Sequence, residues 1–151
     1  LALAALLAAL FIGSASAQNW VGIRTGYPLG VTVHYGIDGM FSPTTDGRIS
    51  ANLRVHGDDV DFGIGLDALT TLEVQPPFIV YAGGGPAIDV GGRGLLLDVH
   101  GLVGGEFVLS DLDLDALGIF AELNLGAAIG IGRPSVIPRF GAAVGFNYRL
   151  P

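Results

Sequence analysis

The stretch RISANLRVHGDDVDFGIGLD, residues 48–67, decides the fold class. In its first half, apolar residues occupy the odd positions from 49 to 55 and polar residues occupy the even positions. In its second half, apolar residues occupy the even positions from 60 to 66. A period of two is typical of a β-strand with one apolar and one polar face. Because only Gly57, Asp58 and Asp59 separate the halves, the stretch is predicted to form a β-hairpin.

The same alternation recurs along the chain, and in total it indicates eight strands. It is regular over 31–37, 117–126 and 139–150, and it is weaker over 20–26, 78–86 and 95–108. Segments with Gly, Pro or Asp separate the strands, and we expect connections at 27–30, 38–47, 57–59, 69–77, 87–94, 109–115 and 130–136. These segments lack the apolar stripe of a helix. We therefore predict an all-β fold, a single antiparallel up-and-down barrel of about eight strands.

Residues 1–17 have a different character from the rest of the chain. The first twelve residues are apolar, and the small-residue triplet Ala15-Ser16-Ala17 follows. Twelve apolar residues are fewer than the ~20 that a membrane-spanning helix needs, so this pattern indicates a cleaved secretory signal peptide. The predicted organisation is a signal peptide at 1–17 and a β-barrel domain at 18–151.

The composition excludes several classes of protein. The 151 residues include no Cys, which excludes a disulfide scaffold and a cysteine-ligated metal. Only 14% of the residues are charged and 25 are Gly, which is unusual for the surface of a soluble domain. The net charge is −7 and all seven basic residues are Arg, so the chain has no basic footprint for nucleic acid. We expect no cofactor, because no helix is predicted after the glycines of residues 83–85 to receive a nucleotide phosphate.

The charged residues of the strands favour a barrel with its polar face inside. A soluble lipocalin-like barrel that binds an apolar ligand would have the apolar face inside, whereas a transmembrane barrel has it outside. On the polar face, five positive and five negative groups balance, as a closed interior of low dielectric constant requires. This predicted interior charge network consists of Arg24, Arg48, Arg54, Asp61, Asp67, Asp98, Glu106, Glu122, Arg139 and Arg149.

The apolar face is then expected to contact lipid. The residues predicted to face lipid are Ile49, Leu53, Val55, Phe62, Ile64, Leu66, Leu123, Leu125, Val144 and Phe146. Aromatic residues near strand ends could form interfacial girdles or pack across strands, and these are Trp20, Tyr27, Tyr35, Phe78, Phe107, Phe140 and Tyr148.

With these features the chain resembles the small bacterial outer-membrane β-barrels of the OmpA and OmpX type. The resemblance covers 18–151, including the segment YAGGGP at 81–86 and the final GFNYRL at 145–150. It implies an outer-membrane location in a Gram-negative-type bacterium, contact with outer-membrane lipids, a monomer, and recognition of the last strand by the barrel assembly machinery. In this family the last strand typically ends in an aromatic residue. Leu150 occupies that position here, while Phe146 and Tyr148 keep the alternation.

The sequence offers few candidates for chemistry. His34, His56 and His100 are predicted on the inner face, where hydrogen bonding explains them better than a metal or catalytic site. A lipid acyl hydrolase is an alternative function, with Ser50 as the candidate nucleophile. The main hypothesis is a non-enzymatic structural or anchoring barrel of the cell envelope with a side-chain-filled interior and no metal.

Four acidic residues match part of the pattern of a calcium-binding loop, but the pattern is incomplete. Asp111, Asp113 and Asp115 have the right spacing with Glu122, but Ala116 occupies the position where that loop needs Gly. A solvated acidic turn is therefore expected between the sixth and seventh strands.

Overall fold

A computed structural model describes residues 18–56, 58–92, 94–132 and 135–151, and the predicted signal peptide lies outside them. Eight β-strands account for most of this chain. Their bounds are β1 Trp20–Tyr27, β2 Gly30–Ser42, β3 Thr45–His56, β4 Asp59–Gln75, β5 Phe78–Gly91, β6 Gly94–Leu109, β7 Leu114–Gly130 and β8 Val136–Arg149. A short 3₁₀ helix, Ser110–Leu112, lies between β6 and β7.

The strands form a closed barrel in which each strand pairs with the next and β8 pairs with β1. All eight pairings are antiparallel. Closure satisfies the backbone groups of both potential edge strands, so the sheet presents no free edge. The prediction of a single antiparallel up-and-down barrel of eight strands is confirmed.

The strands are longer than the sequence pattern indicates, which corrects the predicted connections. Most of 38–47, 69–77 and 87–94 belongs to strands, and the connections at 43–44 and 76–77 are only two residues long. These strand ends were missed because glycines and a β-bulge near residues 71–73 interrupt the visible alternation. The chain termini share one end of the barrel with the turns after β2, β4 and β6. We call this the termini end, and we call the other the distal end.

The predicted hairpin at 48–67 pairs in the register that its two apolar faces require. Leu53 lies opposite Phe62 and Arg54 opposite Asp61, so apolar residues face apolar residues and charges face charges. Around the barrel, one face of each strand is predominantly apolar and points outward, and the other points into the interior. A soluble lipocalin-like barrel has the reverse orientation.

A small apolar cluster lies inside the barrel toward the termini end. Leu69, Tyr81 and Leu102 are buried there and Trp20 packs against them. The girdle interpretation is therefore wrong for Trp20, because the register of β1 points this side chain inward beside Gly36. Phe120 adds a further aromatic ring to the interior, at 2% exposure.

Candidate functional site inside the barrel

The interior charges meet around Arg48, which is buried near the middle of the barrel. Its Nε and Nη2 donate to Oδ2 of Asp67 at 3.1 and 2.9 Å. Its Nη1 and Nη2 also donate to Glu122, which accepts further bonds from Arg24 and from the hydroxyl of Tyr81 at 2.8 Å. Arg48 lies on β3, Asp67 on the neighbouring β4 and Glu122 on β7. The guanidinium group therefore links opposite walls of the barrel.

His100 extends this network toward the distal end. Its Nε2 lies 3.0 Å from Oδ1 of Asp67, and its Nδ1 lies 3.1 Å from Oδ1 of Asp98. A neutral imidazole has only one N–H group, so a ring placed between two carboxylates is best accommodated as imidazolium. His100 therefore acts as a sixth interior cation, a role that the sequence pattern alone did not assign to it.

Asp89 is an interior carboxylate that sequence reasoning missed. Nη1 of Arg54 donates to its Oδ2 at 2.7 Å, and Nη2 of Arg139 lies 3.6 Å from the same oxygen. Arg139 also approaches Asp98, with Nε 3.5 Å from Oδ2. Asp89 falls in the segment that was expected to be a turn, but β5 continues to Gly91. The available signal was the pair of apolar residues on either side, Ile88 and Val90.

A second, smaller group lies near the termini end. Nη2 of Arg149 is 2.9 Å from Oε1 of Glu106, whose other oxygen accepts a bond from Nδ2 of Asn147 at 3.0 Å. Oδ1 of Asn147 is in turn 2.8 Å from Nε2 of His34. Arg149 and Glu106 thus form a pair of their own, at a different height from the central network.

Adding His100 and Asp89 to the predicted charge network keeps its numbers of positive and negative groups equal. Asp61 is also buried on the inner face, directly opposite Arg54 in register. With His100 as imidazolium, Asp61 and the members of the two groups described above comprise six cations and six anions, which are Arg24, Arg48, Arg54, His100, Arg139, Arg149, Asp61, Asp67, Asp89, Asp98, Glu106 and Glu122. Mutual pairing offsets part of the large desolvation cost of each charge.

The interior is filled by side chains, with a small cavity toward each end. The distal cavity has a volume of about 80 Å³ and the termini cavity about 180 Å³. The bonds of Arg48, Asp67 and Glu122 lie between them. An eight-stranded barrel is just wide enough to be filled in this way.

The ten residues predicted to contact lipid all lie on the outer face. Their exposure is about half or more for most of them, reaching 69% at Leu125, while Ile49 and Leu66 are half-buried where they pair with each other. Isolated exposed apolar residues are normal on soluble proteins, but a continuous apolar surface marks contact with lipid or another protein.

The fold places Ser50 beside His34 and separates Asp113 and Asp115 from Glu122. Ser50 is buried on the inner wall directly opposite His34, which instead bonds to Asn147. Asp113 and Asp115 are exposed in and beside the turn after β6, while Glu122 is buried inside the barrel, so the calcium-loop pattern does not come together.

In the described part of the chain, no cluster of three or more His, Asp or Glu could hold a metal ion. Across residues 18–56, 58–92, 94–132 and 135–151, no helix is long and apolar enough to cross a membrane.

No protein-family model and no curated protein matches the sequence. Solved structures do match the fold. The crystal structure of Neisserial surface protein A superposes with a TM-score of 0.63 at 12% identity, covering 89% of this chain and 94% of that one. The N-terminal β-barrel domain of Pseudomonas aeruginosa OprF gives 0.57 at 12% identity, covering 89% and 96%.

A designed transmembrane β-barrel gives a TM-score of 0.56 at 13% identity, covering 91% of this chain and 98% of that one. At these identities the similarity concerns the fold alone. The resemblance to small eight-stranded outer-membrane barrels is confirmed at that level.

Proposed function

We propose that this chain is an integral outer-membrane β-barrel protein with a structural or anchoring role in the cell envelope. The observation that carries the proposal is the distribution of its side chains. The outer wall is apolar, and twelve charged groups lie inside. A closed barrel with this inside-out distribution is suited to a hydrocarbon surrounding, because every strand pairs with a neighbour on both sides and the charges of the interior are removed from lipid.

The filled interior supports anchoring rather than transport. The links from Arg48 to Asp67 and Glu122 cross the barrel between two small, separate cavities. A porin-like channel would need a continuous aqueous opening, which is typical of wider barrels. The protein therefore serves the envelope through its presence in the membrane and through the groups it exposes at either end.

Export and assembly follow from the same proposal. Residues 1–17 act as a cleaved signal peptide, and the barrel assembly machinery recognises β8. That strand pairs with both β7 and β1, so its docking completes the barrel. The mature protein is a monomer surrounded by outer-membrane lipids.

Two other functions fit the structure less well. A soluble barrel that binds an apolar ligand needs an apolar interior, whereas this interior carries the charges. A lipid acyl hydrolase needs a nucleophile that its substrate can reach. Ser50 is 5% exposed and faces the interior, on the opposite side of the wall from lipid.

Fractionation of cells that express the chain tests the proposal. We expect the protein in the membrane fraction, released by detergent and not by salt, with a gel mobility that changes on heating. A monomer that stays soluble in salt buffer would overturn the membrane location. Reconstituted liposomes test the filled interior, because a small uncharged solute should leak no faster than from protein-free liposomes.

A further inference from the structure

We propose that the distal cavity of the barrel binds a phosphate group. The cavity of about 80 Å³ is lined by Arg24, Arg54, Arg139 and His100, and Asp98 is the acidic residue among its lining. The other carboxylates that pair with these cations, Glu122, Asp67 and Asp89, lie outside the lining, so the surface that a ligand meets is predominantly cationic and favours an anion. Binding of free phosphate does not depend on the proposed envelope role. Binding of the phosphate of a lipid headgroup does rest on that proposal.

The guanidinium groups have donors to offer such a ligand. Each carries five N–H groups in a planar arrangement. Within the described residues, Arg54 donates through Nη1 to Asp89, and Arg24 donates through Nη1 to Glu122. Both side chains also line the cavity, so their remaining N–H groups can reach an anion there while the network below stays intact.

The internal carboxylates hold the cations of this site in position and offset part of their charge. Asp89 holds Arg54 and approaches Arg139, and Asp98 holds His100. Asp89 is buried and is not part of the cavity lining, so it holds Arg54 from outside the cavity. Asp61, buried beside Arg54 in register, is a further carboxylate at this level and lies outside the lining too.

The termini cavity has a different charge. It is lined by Asp38, Asp46 and Glu106 together with Arg48 and Arg149, so its carboxylates outnumber its guanidinium groups. Both cavities are polar and both open at a barrel end, yet only the distal one has an excess of cationic groups. This contrast supplies a matched control within one molecule.

Size and geometry indicate a phosphate group. The cavity is well below the roughly 300 Å³ of pockets that enclose drug-sized ligands, so only a small group can enter. Guanidinium groups bind phosphate oxygens through paired, charge-assisted hydrogen bonds. The phosphate could be free or could belong to a lipid headgroup, since the cavity opens at the rim of the barrel.

The test compares Arg54→Gln with Arg149→Gln, the equivalent change at the other end. The folded protein in an uncharged detergent is titrated with inorganic phosphate by calorimetry. It is also incorporated into phosphatidylcholine vesicles with or without phosphatidic acid, and the unfolding midpoint is measured. We expect Arg54→Gln to weaken phosphate binding roughly tenfold, as loss of one charged hydrogen bond does, and Arg149→Gln to leave it unchanged. A response in the vesicles alone identifies a lipid source.

Three results would overturn the site. These are the absence of saturable binding in both arms, equal weakening by the two variants, and stabilisation of the wild-type protein by chloride as strong as that by phosphate at equal ionic strength. The chloride comparison needs no variant, so it decides the question even if Arg54→Gln does not fold. Gel mobility with and without heating reports folding in every sample. Because fractionation tests the membrane location separately, failure of the site leaves the proposed function standing.

Discussion

Arg48 on β3 bonds to Glu122 on β7, a strand that is not its neighbour in the sheet, and the two side chains are 2% and 0% exposed. The contact therefore crosses the interior and ties two walls together. Around it, Asp67 and Arg24 provide the remaining counter-charges. A barrel held only by its backbone ladder would not need such a link, so its contribution to stability can be measured.

Glu122→Gln should lower the free energy of unfolding by about 3 to 5 kcal/mol, because it leaves Arg48 and Arg24 buried without their shared counter-charge. The measurement is urea unfolding in lipid vesicles, followed by the fluorescence of Trp20, the only Trp of the chain. Glu73→Gln is the matched control, since Glu73 is exposed in β4 near the termini end. Equal stability of the two variants would contradict a structural role for the cross-barrel link.

An arginine on the outer wall tests which medium that wall contacts. Leu123 is 53% exposed and lies at the centre of β7, which spans Leu114–Gly130. Leu123→Arg should destabilise the folded barrel in lipid by about 2 to 4 kcal/mol, as a cation at the bilayer midplane does.

Leu112→Arg is the comparison for this change, because Leu112 is 66% exposed in the turn after β6. It should cost at most about 1 kcal/mol, as expected near the interface. Similar unfolding midpoints for both variants in vesicles would show that the middle of β7 does not contact hydrocarbon.

The sequence predicted the faces of the strands better than their ends. Along 48–67 the alternation is complete, and the predicted hairpin matches the observed register. Around 83–92, glycines remove the side chains that would display a period of two, and a glycine-rich strand then has the composition of a turn. The network could be predicted only as a set of inward positions, since partner choice depends on strand register and shear across the whole barrel.

Close backbone packing explains one of those glycines. A Cβ at Gly85 would overlap the carbonyl oxygen of Leu66 on β4, whereas a Cβ at Gly101 would meet nothing nearer than 3.8 Å. Gly85→Ala should therefore destabilise the barrel by about 1 to 3 kcal/mol through overpacking.

Gly101→Ala should be neutral or stabilising by at most about 1 kcal/mol, because it restricts the unfolded chain without a clash. Urea unfolding midpoints of the two alanine variants, measured in the same vesicles, give the comparison. If Gly85→Ala is as stable as Gly101→Ala, the approach of β4 to β5 at this point is not a constraint on the fold.

Asp89 provides the sharpest test of the interior, because sequence pattern and structure assign it to different environments. In a solvated turn, Asp89→Asn would change stability by no more than about 0.5 kcal/mol. In the structure its carboxylate is buried and lies within 2.7 Å of Arg54 and 3.6 Å of Arg139. Removing the charge leaves two guanidinium groups with an excess of positive charge in a confined space, so the expected loss is about 3 kcal/mol. Asp59→Asn, an exposed position at the start of β4, should reproduce the small change expected of a turn, and the difference between the two midpoints in urea measures what burial adds.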